Sequence, residues 1–231
     1  MAPDISIAIE TSCRAGGLAL GQGGELTCVV SFDASARHAT QLLSRLDELL
    51  RGHELAPGDL DEVYVSAGPG SFTGIRVGVT VARTLAQALP GLRCVGVPTA
   101  EAVAEAARGL TCQRLVVVFD AKERICVQPF VRNGEQPAPE ADLAVMSEEE
   151  FLRRVPRPAV LIGEGLGYHQ LLGEGLEIAR RELWLPNPEA VWRVGRRRAD
   201  AGEYTDPARL LPVYARRPEA VRLWERRHGP D

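Results

Sequence analysis

Lysine is nearly missing from this 231-residue chain: Lys122 is the only one, and arginine fills the remaining basic positions. An imbalance of this kind follows from genome base composition, so the choice of arginine carries little functional weight. No apolar run approaches the roughly 20 residues that span a bilayer. The opening MAPDISIAIETS lacks a basic stretch followed by an apolar one, so neither a membrane anchor nor a secretory leader is expected, and the cytoplasm is the expected compartment. The five cysteines (Cys13, Cys28, Cys94, Cys112 and Cys126) form no CxxC pair and no metal-like spacing. Reduced, mostly buried thiols are therefore expected. The four histidines (His38, His53, His169 and His228) are never four apart, which excludes the i, i+4 pair that grips a metal from one helix face.

What is present reads as a globular α/β protein. Hydrophobic residues make up 45% and charged residues 25%, enough for one large domain or two lobes. The net charge of −4 argues against a protein coated in nucleic acid, but it is unevenly spread. Ten arginines and five acids lie between Trp192 and His228, leaving the rest of the chain near −9.

ISIAIETS reads as a buried strand, and GGLALGQGGELTCVVSF continues it as a hairpin turning at Gln22-Gly23-Gly24. Leucines at 42, 43, 46, 49 and 50 predict an amphipathic helix over 38–51. LDEVYVSAG and RCVGVPT are further strands, and Thr99 is the expected N-cap of AEAVAEAAR. The second half follows a similar order. RLVVVFDA leads into a hairpin through Asn133-Gly134, then a helix capped by Ser147 with Glu150 as its capping-box partner, then AVLIGEG. Strand, hairpin, helix, strand and helix in each half predict two related lobes, 1–100 and 101–231.

SAGPGSFTGIRVGVTVARTLAQAL, residues 66–89, packs Gly68, Pro69 and Gly70 between a strand and a helix. Such a turn invites comparison with phosphate loops. The P-loop needs a lysine after its last glycine, and here Ile75 and Arg76 follow Gly74. In the dinucleotide fingerprint Thr73 occupies the third glycine position. A structural turn, with Ser71 or Thr73 capping the helix, fits better than a nucleotide cradle. In the helix, Arg76, Thr80, Arg83 and Gln87 cluster within roughly 60° while apolar residues spread over about 200°. Gly74, Gly78, Ala82 and Ala86 form a small-residue ridge that would let another helix come close. The helix is then either wholly internal, or covered by its own sheet on one side and by a second protein on the other.

These residues resemble the TsaB (YeaZ) family. SAGPGSFTGIRVGVTVARTLA is similar to that family's signature, and IAIETS, RHATQLL, VFDAKERICV, LIGEGLGYH and LLPVYARRPEA extend the likeness over most of the chain. The resemblance implies a two-lobed actin-like (ASKHA) fold with mixed sheets and flanking helices. It implies a non-catalytic subunit that binds the catalytic paralogue TsaD and, with the ATPase TsaE, serves threonylcarbamoyl transfer to A37 of tRNA. A homodimer is expected when the partner is missing. ATP and metal would belong to the partner subunits, so no cofactor is expected here.

The expected interface comprises Leu42, Leu46, Leu49, Gly74, Ile75, Gly78, Val79, Ala82 and Ala86 on the two first-lobe helices. TsaD itself opens with a similar IETSC, yet this chain lacks that protein's HxxxH pair and carries Arg14 where an acid stands there. Actin-like ATPases place metal-binding carboxylates near Glu10, Thr11 and Ser12 and near Asp120, so a vestigial nucleotide site there is one reading. The other has Glu10 capping a turn and Asp120 paired with an arginine. A nucleotide-binding or hydrolase-like enzyme is the alternative function, although Ser12 and Ser71 have no nearby histidine in sequence. The arginine-rich C-terminal segment could touch tRNA phosphates. Alternatively, its arginines pair with its own acids while Trp192, Tyr204, Tyr214 and Trp224 pack on the second lobe.

Overall fold

The computed structural model describes residues 4–32, 38–134, 136–215 and Trp224. The chain starts with β1 (Ile5–Glu10), β2 (Gly17–Gln22) and β3 (Glu25–Ser31), joined as antiparallel neighbours. Gly23 and Gly24 take φ of +61° and +85° at the expected turn, the two positive values that a tight hairpin demands. After α1 (His38–Gly52), β4 (Glu62–Gly68) pairs parallel with β1. Helix α2 (Phe72–Ala88) crosses back to β5 (Arg93–Pro98), which extends the sheet parallel to β4. The resulting strand order is β3-β2-β1-β4-β5.

β1 and β4 are buried along their whole length, because helices cover both faces of this sheet. Alternation along β1 sends Ile5, Ile7 and Ile9 towards α1 and α2, where Leu42, Leu46, Leu49, Ile75 and Val79 meet them. Ala8 faces the other way with Tyr64 and Val95.

Helix α3 (Thr99–Ala106) leads to the second sheet, built from β6 (Arg114–Asp120), β7 (Ile125–Asn133), β8 (Gln136–Pro139) and β9 (Ala144–Met146). Helix α4 (Glu148–Arg154), β10 (Ala159–Ile162) and β11 (Leu176–Ile178) complete it. Its order, β11-β10-β6-β7-β8 with β9 on β7, repeats the first sheet's arrangement of a central opening strand, a hairpin to one side and two parallel strands to the other. α3 lies between the two sheets and consists largely of alanine, which lets both approach. Ala100, Val103 and Ala104 pack on the second sheet, and Ala102 packs on the first.

Two local expectations are corrected. Pro98, not Thr99, is the N-cap of α3, and the Thr99 hydroxyl instead accepts a hydrogen bond from Gly68 N at 3.1 Å. Ser147 does cap α4, accepting from Glu150 N at 3.1 Å, but the Glu150 carboxylate turns to Arg154 at 2.7 Å.

The largest departure lies after residue 186. PNPEAVWRVGRRRAD forms α5 (Pro188–Asp200), capped by the Asn187 side chain accepting from Ala190 N. α5 lies on the first sheet, not the second. Trp192 donates to Ser6 Oγ at 2.9 Å, and Gly195 sits flat against the Tyr64 ring. Tyr204 donates to Glu62 at 2.7 Å, and Tyr214 stacks on Phe72 with centroids 4.7 Å apart. All three aromatics therefore serve the first sheet and its helices, while Trp224 is exposed. Burying Trp192 and Tyr64 together supplies apolar area that the arginine-rich composition of α5 conceals.

A Cβ on Gly195 would collide with the Cβ, Cγ and Cδ2 atoms of Tyr64, whereas one on Gly52 meets nothing within 4 Å. Gly195→Ala is expected to cost about 1–3 kcal/mol in urea unfolding. Gly52→Ala should be neutral or stabilising by a few tenths of a kcal/mol.

Candidate functional site

The glycine-rich turn sits where β4 leaves the sheet and α2 begins, and the chain's own atoms fill it. Gly68 adopts φ +109° beside the Val213 carbonyl, a conformation and an approach that suit glycine alone. A Cβ on Gly70 would lie 2.5 Å from Ser12 O. Three amides of the turn have internal acceptors: Gly68 N on Thr99 Oγ1, Ser71 N on Ser12 O at 2.7 Å, and Gly74 N on Ser71 Oγ at 3.3 Å. Ser71 is thus the cap of α2, and Thr73 is exposed on the first turn. Pro69 and Gly68 border a cleft of about 490 Å³ on the side of Pro98, Glu101 and Gln128. Glu10, Thr11, Ser12 and Asp120 do not line that cleft.

Glu10 is wholly buried. Its Oε1 accepts from Ser12 N at 2.5 Å and Ser12 Oγ at 2.6 Å, and its Oε2 accepts from Ser66 Oγ. Charge-assisted bonds of this kind compensate for burying a carboxylate. Thr11 Oγ1 donates to Gly74 O at 2.8 Å, tying the exit of β1 to the first turn of α2. These geometries match a turn-capping role for Glu10.

Cys13 is next in line. Burial, and then the charges of Glu10 and Glu164, push its thiol well above the ordinary cysteine range. A thiol held protonated is a poor nucleophile. Burial likewise lifts Cys94 to about 11 and Cys126 to about 12. Ser12 is also buried, with its hydroxyl donating to Glu10.

In the second lobe, Asp120 partners a histidine instead of the expected arginine. His169 Nε2 lies 3.0 Å from Asp120 Oδ1, and its Nδ1 lies 2.6 Å from Glu148 Oε1. Asp120 N donates to Glu164 Oε1 at 3.0 Å, and Lys122 N donates to Asp120 Oδ1 at 2.9 Å. Burial holds Glu164 above the usual carboxylate range even with that donor. Sequence reasoning misses this cluster. His169 stands 21 residues from Glu148 and 49 from Asp120, separations that no local pattern reveals. Among the described residues, no three His, Cys, Asp or Glu side chains converge as a metal site.

The small-residue ridge of α2 faces inward. A Cβ on Gly74 would collide with the Thr11 backbone, and one on Gly78 with the Thr11 hydroxyl. Leu42, Leu46, Leu49, Ile75, Val79 and Ala82 are likewise buried in the chain's own core, and Ala86 is half-buried. Their side chains therefore pack within the chain's own core, so a second protein is not needed to cover them. Substitutions such as Val79→Glu or Ala82→Arg would force a charge into the core of the single chain.

The outward face of the two helices is different. It carries exposed Leu43 on α1 and half-buried Val77, Val81 and Leu85 on α2, beside exposed Arg76, Thr80, Thr84 and Gln87. Phe72, exposed at the start of α2, stacks between Tyr214 and the Arg76 guanidinium. Residues 205–214 run alongside as a strap. Thr205 N donates to Cys94 O, Leu210 enters the core, and Val213 N donates to Ala67 O at 2.7 Å.

The arginines of α5 are engaged with acids. Arg193 pairs with Glu189, Arg196 with Asp4 and Asp200, Arg197 with Glu105, and Arg198 with Glu101 and Glu203. Residues 216–223 and 225–231, the remainder of the basic segment, lie outside the described residues. No described helix is long and apolar enough to cross a membrane.

Comparison with known proteins adds the family. Residues 28–152 match the family described as TsaD: tRNA N6-adenosine threonylcarbamoyltransferase. The chain is 28% identical over 231 residues to the tRNA threonylcarbamoyladenosine biosynthesis protein TsaB of Bacillus subtilis, covering 94% of this chain and 96% of that one. It is 30% identical over 195 residues to an uncharacterized protein of Mycobacterium tuberculosis, covering 84% and 82% of the two chains. In fold it matches YeaZ from Pseudomonas aeruginosa with a TM-score of 0.75 at 24% identity, over 91% of this chain and all of that one. The duplicated mixed sheets are those of the actin-like fold. With the signature lying on β4, the glycine turn and α2, this chain belongs to the TsaB (YeaZ) family.

Proposed function

We propose that this protein takes part in threonylcarbamoyladenosine synthesis on tRNA as a non-catalytic subunit that binds TsaD and supports its transfer of the threonylcarbamoyl group to A37. The name carried by the Bacillus subtilis relative, over nearly the full length of both chains, supports the pathway. One structural observation carries the non-catalytic role: the loop that follows β1 and the glycine turn fill each other. Glu10, Ser12 and Ser71 spend their polar atoms on one another and on Ser66 and Gly74, leaving the candidate nucleophiles engaged or buried.

The partner surface in this reading is the outward face of α1 and α2, centred on Leu43, Val77, Val81 and Leu85. A pair of antiparallel helices on the partner would complete a four-helix contact with an apolar centre and a polar rim. The same face would pair two copies when TsaD is missing. TsaE joins through the assembled complex. tRNA is met through the partner, with the segment after residue 215 as the remaining basic arm, because the arginines of α5 are neutralised at short range.

Pull-down with TsaD, followed by a t6A assay with and without this chain, tests the assignment. Leu43→Arg with Val81→Glu should abolish co-purification with TsaD and reduce t6A formation while leaving the melting temperature within a few degrees. Unimpaired co-purification would place the interface elsewhere. Isothermal titration of the isolated protein with Mg²⁺ and ATP should give no micromolar binding. The amides of Gly68, Ser71 and Gly74 and both Glu10 oxygens are already engaged, and freeing them breaks the packing described above. Micromolar affinity would favour the enzyme reading.

A further inference from the structure

The second-lobe cluster has a property that the proposed partner role does not use. The His169 ring is 5% exposed and is gripped from two elements at once, with Glu148 on the first turn of α4 at Nδ1 and Asp120 at the end of β6 at Nε2. Glu164, on the same connecting segment as His169, supports Asp120 through its backbone amide. Glu148 and Asp120 are the carboxylates bonded to the ring, and Glu164 lies near enough to feel its charge. On the turn after β6, Lys122 contributes its backbone N–H, which donates to the same Asp120 oxygen. The other acids of α4 turn elsewhere, Glu149 to Arg153 and Glu150 to Arg154.

A neutral imidazole has one N–H and one bare lone pair. Either tautomer would aim that lone pair at a carboxylate oxygen within hydrogen-bond distance. Only the doubly protonated ring donates to both. We infer that His169 is a standing imidazolium that latches α4 to the end of β6, and that its deprotonation releases this latch.

The sign of the pH dependence follows. Burial alone would lower the pKa of the ring, but the hydrogen bonds to Glu148 and then Asp120 outweigh it and hold the value above the ordinary 6.5. The latch is therefore fully in place below about pH 6.5, the value for the unfolded chain, and is lost as pH rises through the higher folded value. Such a device makes the packing of the second lobe sensitive to alkaline conditions.

Two-dimensional ¹H–¹⁵N spectra of the imidazole nitrogens, recorded on the full chain from pH 5 to 10, test this directly. His169 should show two protonated ring nitrogens at pH 7, and Glu148→Gln should move its titration down by about one pH unit or more. Urea midpoints of the unsubstituted protein and His169→Gln should differ most near pH 6 and converge above the titration of the ring. A singly protonated ring at pH 7, a titration unmoved by Glu148→Gln, or a midpoint difference independent of pH would overturn the inference. Should His169→Gln fail to fold, the spectra of the unsubstituted protein decide alone.

Discussion

Everything in the first lobe depends on how closely α2 approaches the exit of β1. Gly74 and Gly78 remove two side chains from the inner face of the helix, and Thr11 enters the space with its backbone against one and its hydroxyl against the other. That approach fixes the depth of α2 on the sheet, so that Ile75 and Val79 reach the isoleucines of β1. It also brings Ser12 against Gly70 and Ser71, which closes the mouth of the loop. The rotation of α2 follows from the same contact. With glycine inward, Val77, Val81 and Leu85 turn towards the surface alongside Arg76. A close-packed interior admits few other solutions.

Much of this is legible in the residues. The buried strand β1, the leucine spacing of α1, the Gly23-Gly24 hairpin and the Ser147 cap sit where local rules put them, and Ser71 is one of the two caps those rules offer for α2. The repeated order of elements along the chain is legible too, because each element carries its own period, whereas the order of strands within each sheet is not. The width of the apolar arc on α2 can be read directly, but its meaning cannot. A small-residue ridge reads equally well as an invitation to a foreign helix or to the chain's own backbone, and only the position of Thr11 separates the two. Leu42, Leu46 and Leu49 raise the same ambiguity: an apolar stripe states that something covers it without saying what.

The segment after residue 186 is the least legible. Four arginines in six residues, Arg193 to Arg198, mask an apolar face made of Ala190, Val191, Trp192 and Val194. Some partners of those arginines, Glu189, Asp200 and Glu203, lie close by in sequence, but the others, Asp4, Glu101 and Glu105, lie about 90 to 190 residues earlier. A basic run therefore looks like a footprint for a polyanion, when much of its charge is consumed within the fold. The His169 cluster escapes for a related reason. Its members come from three elements that meet only after the second sheet has formed, and local sequence reading has no access to such meetings.

The return of α5 to the first sheet bears on the order in which a growing chain can fold. The face of that sheet bearing Ala8, Tyr64 and Val95 is complete in sequence by residue 98, yet α5, which covers it, is encoded at 188–200. During synthesis the whole second lobe must emerge before Trp192 can dock and Val213 can reach Ala67. Until then the first sheet has its α1 and α2 layer on one side and only α3 on the other. Residues 188–200 thus act as the closing step for the first sheet, and a ribosome that stops short of them releases a chain with that apolar face uncovered on the α5 side.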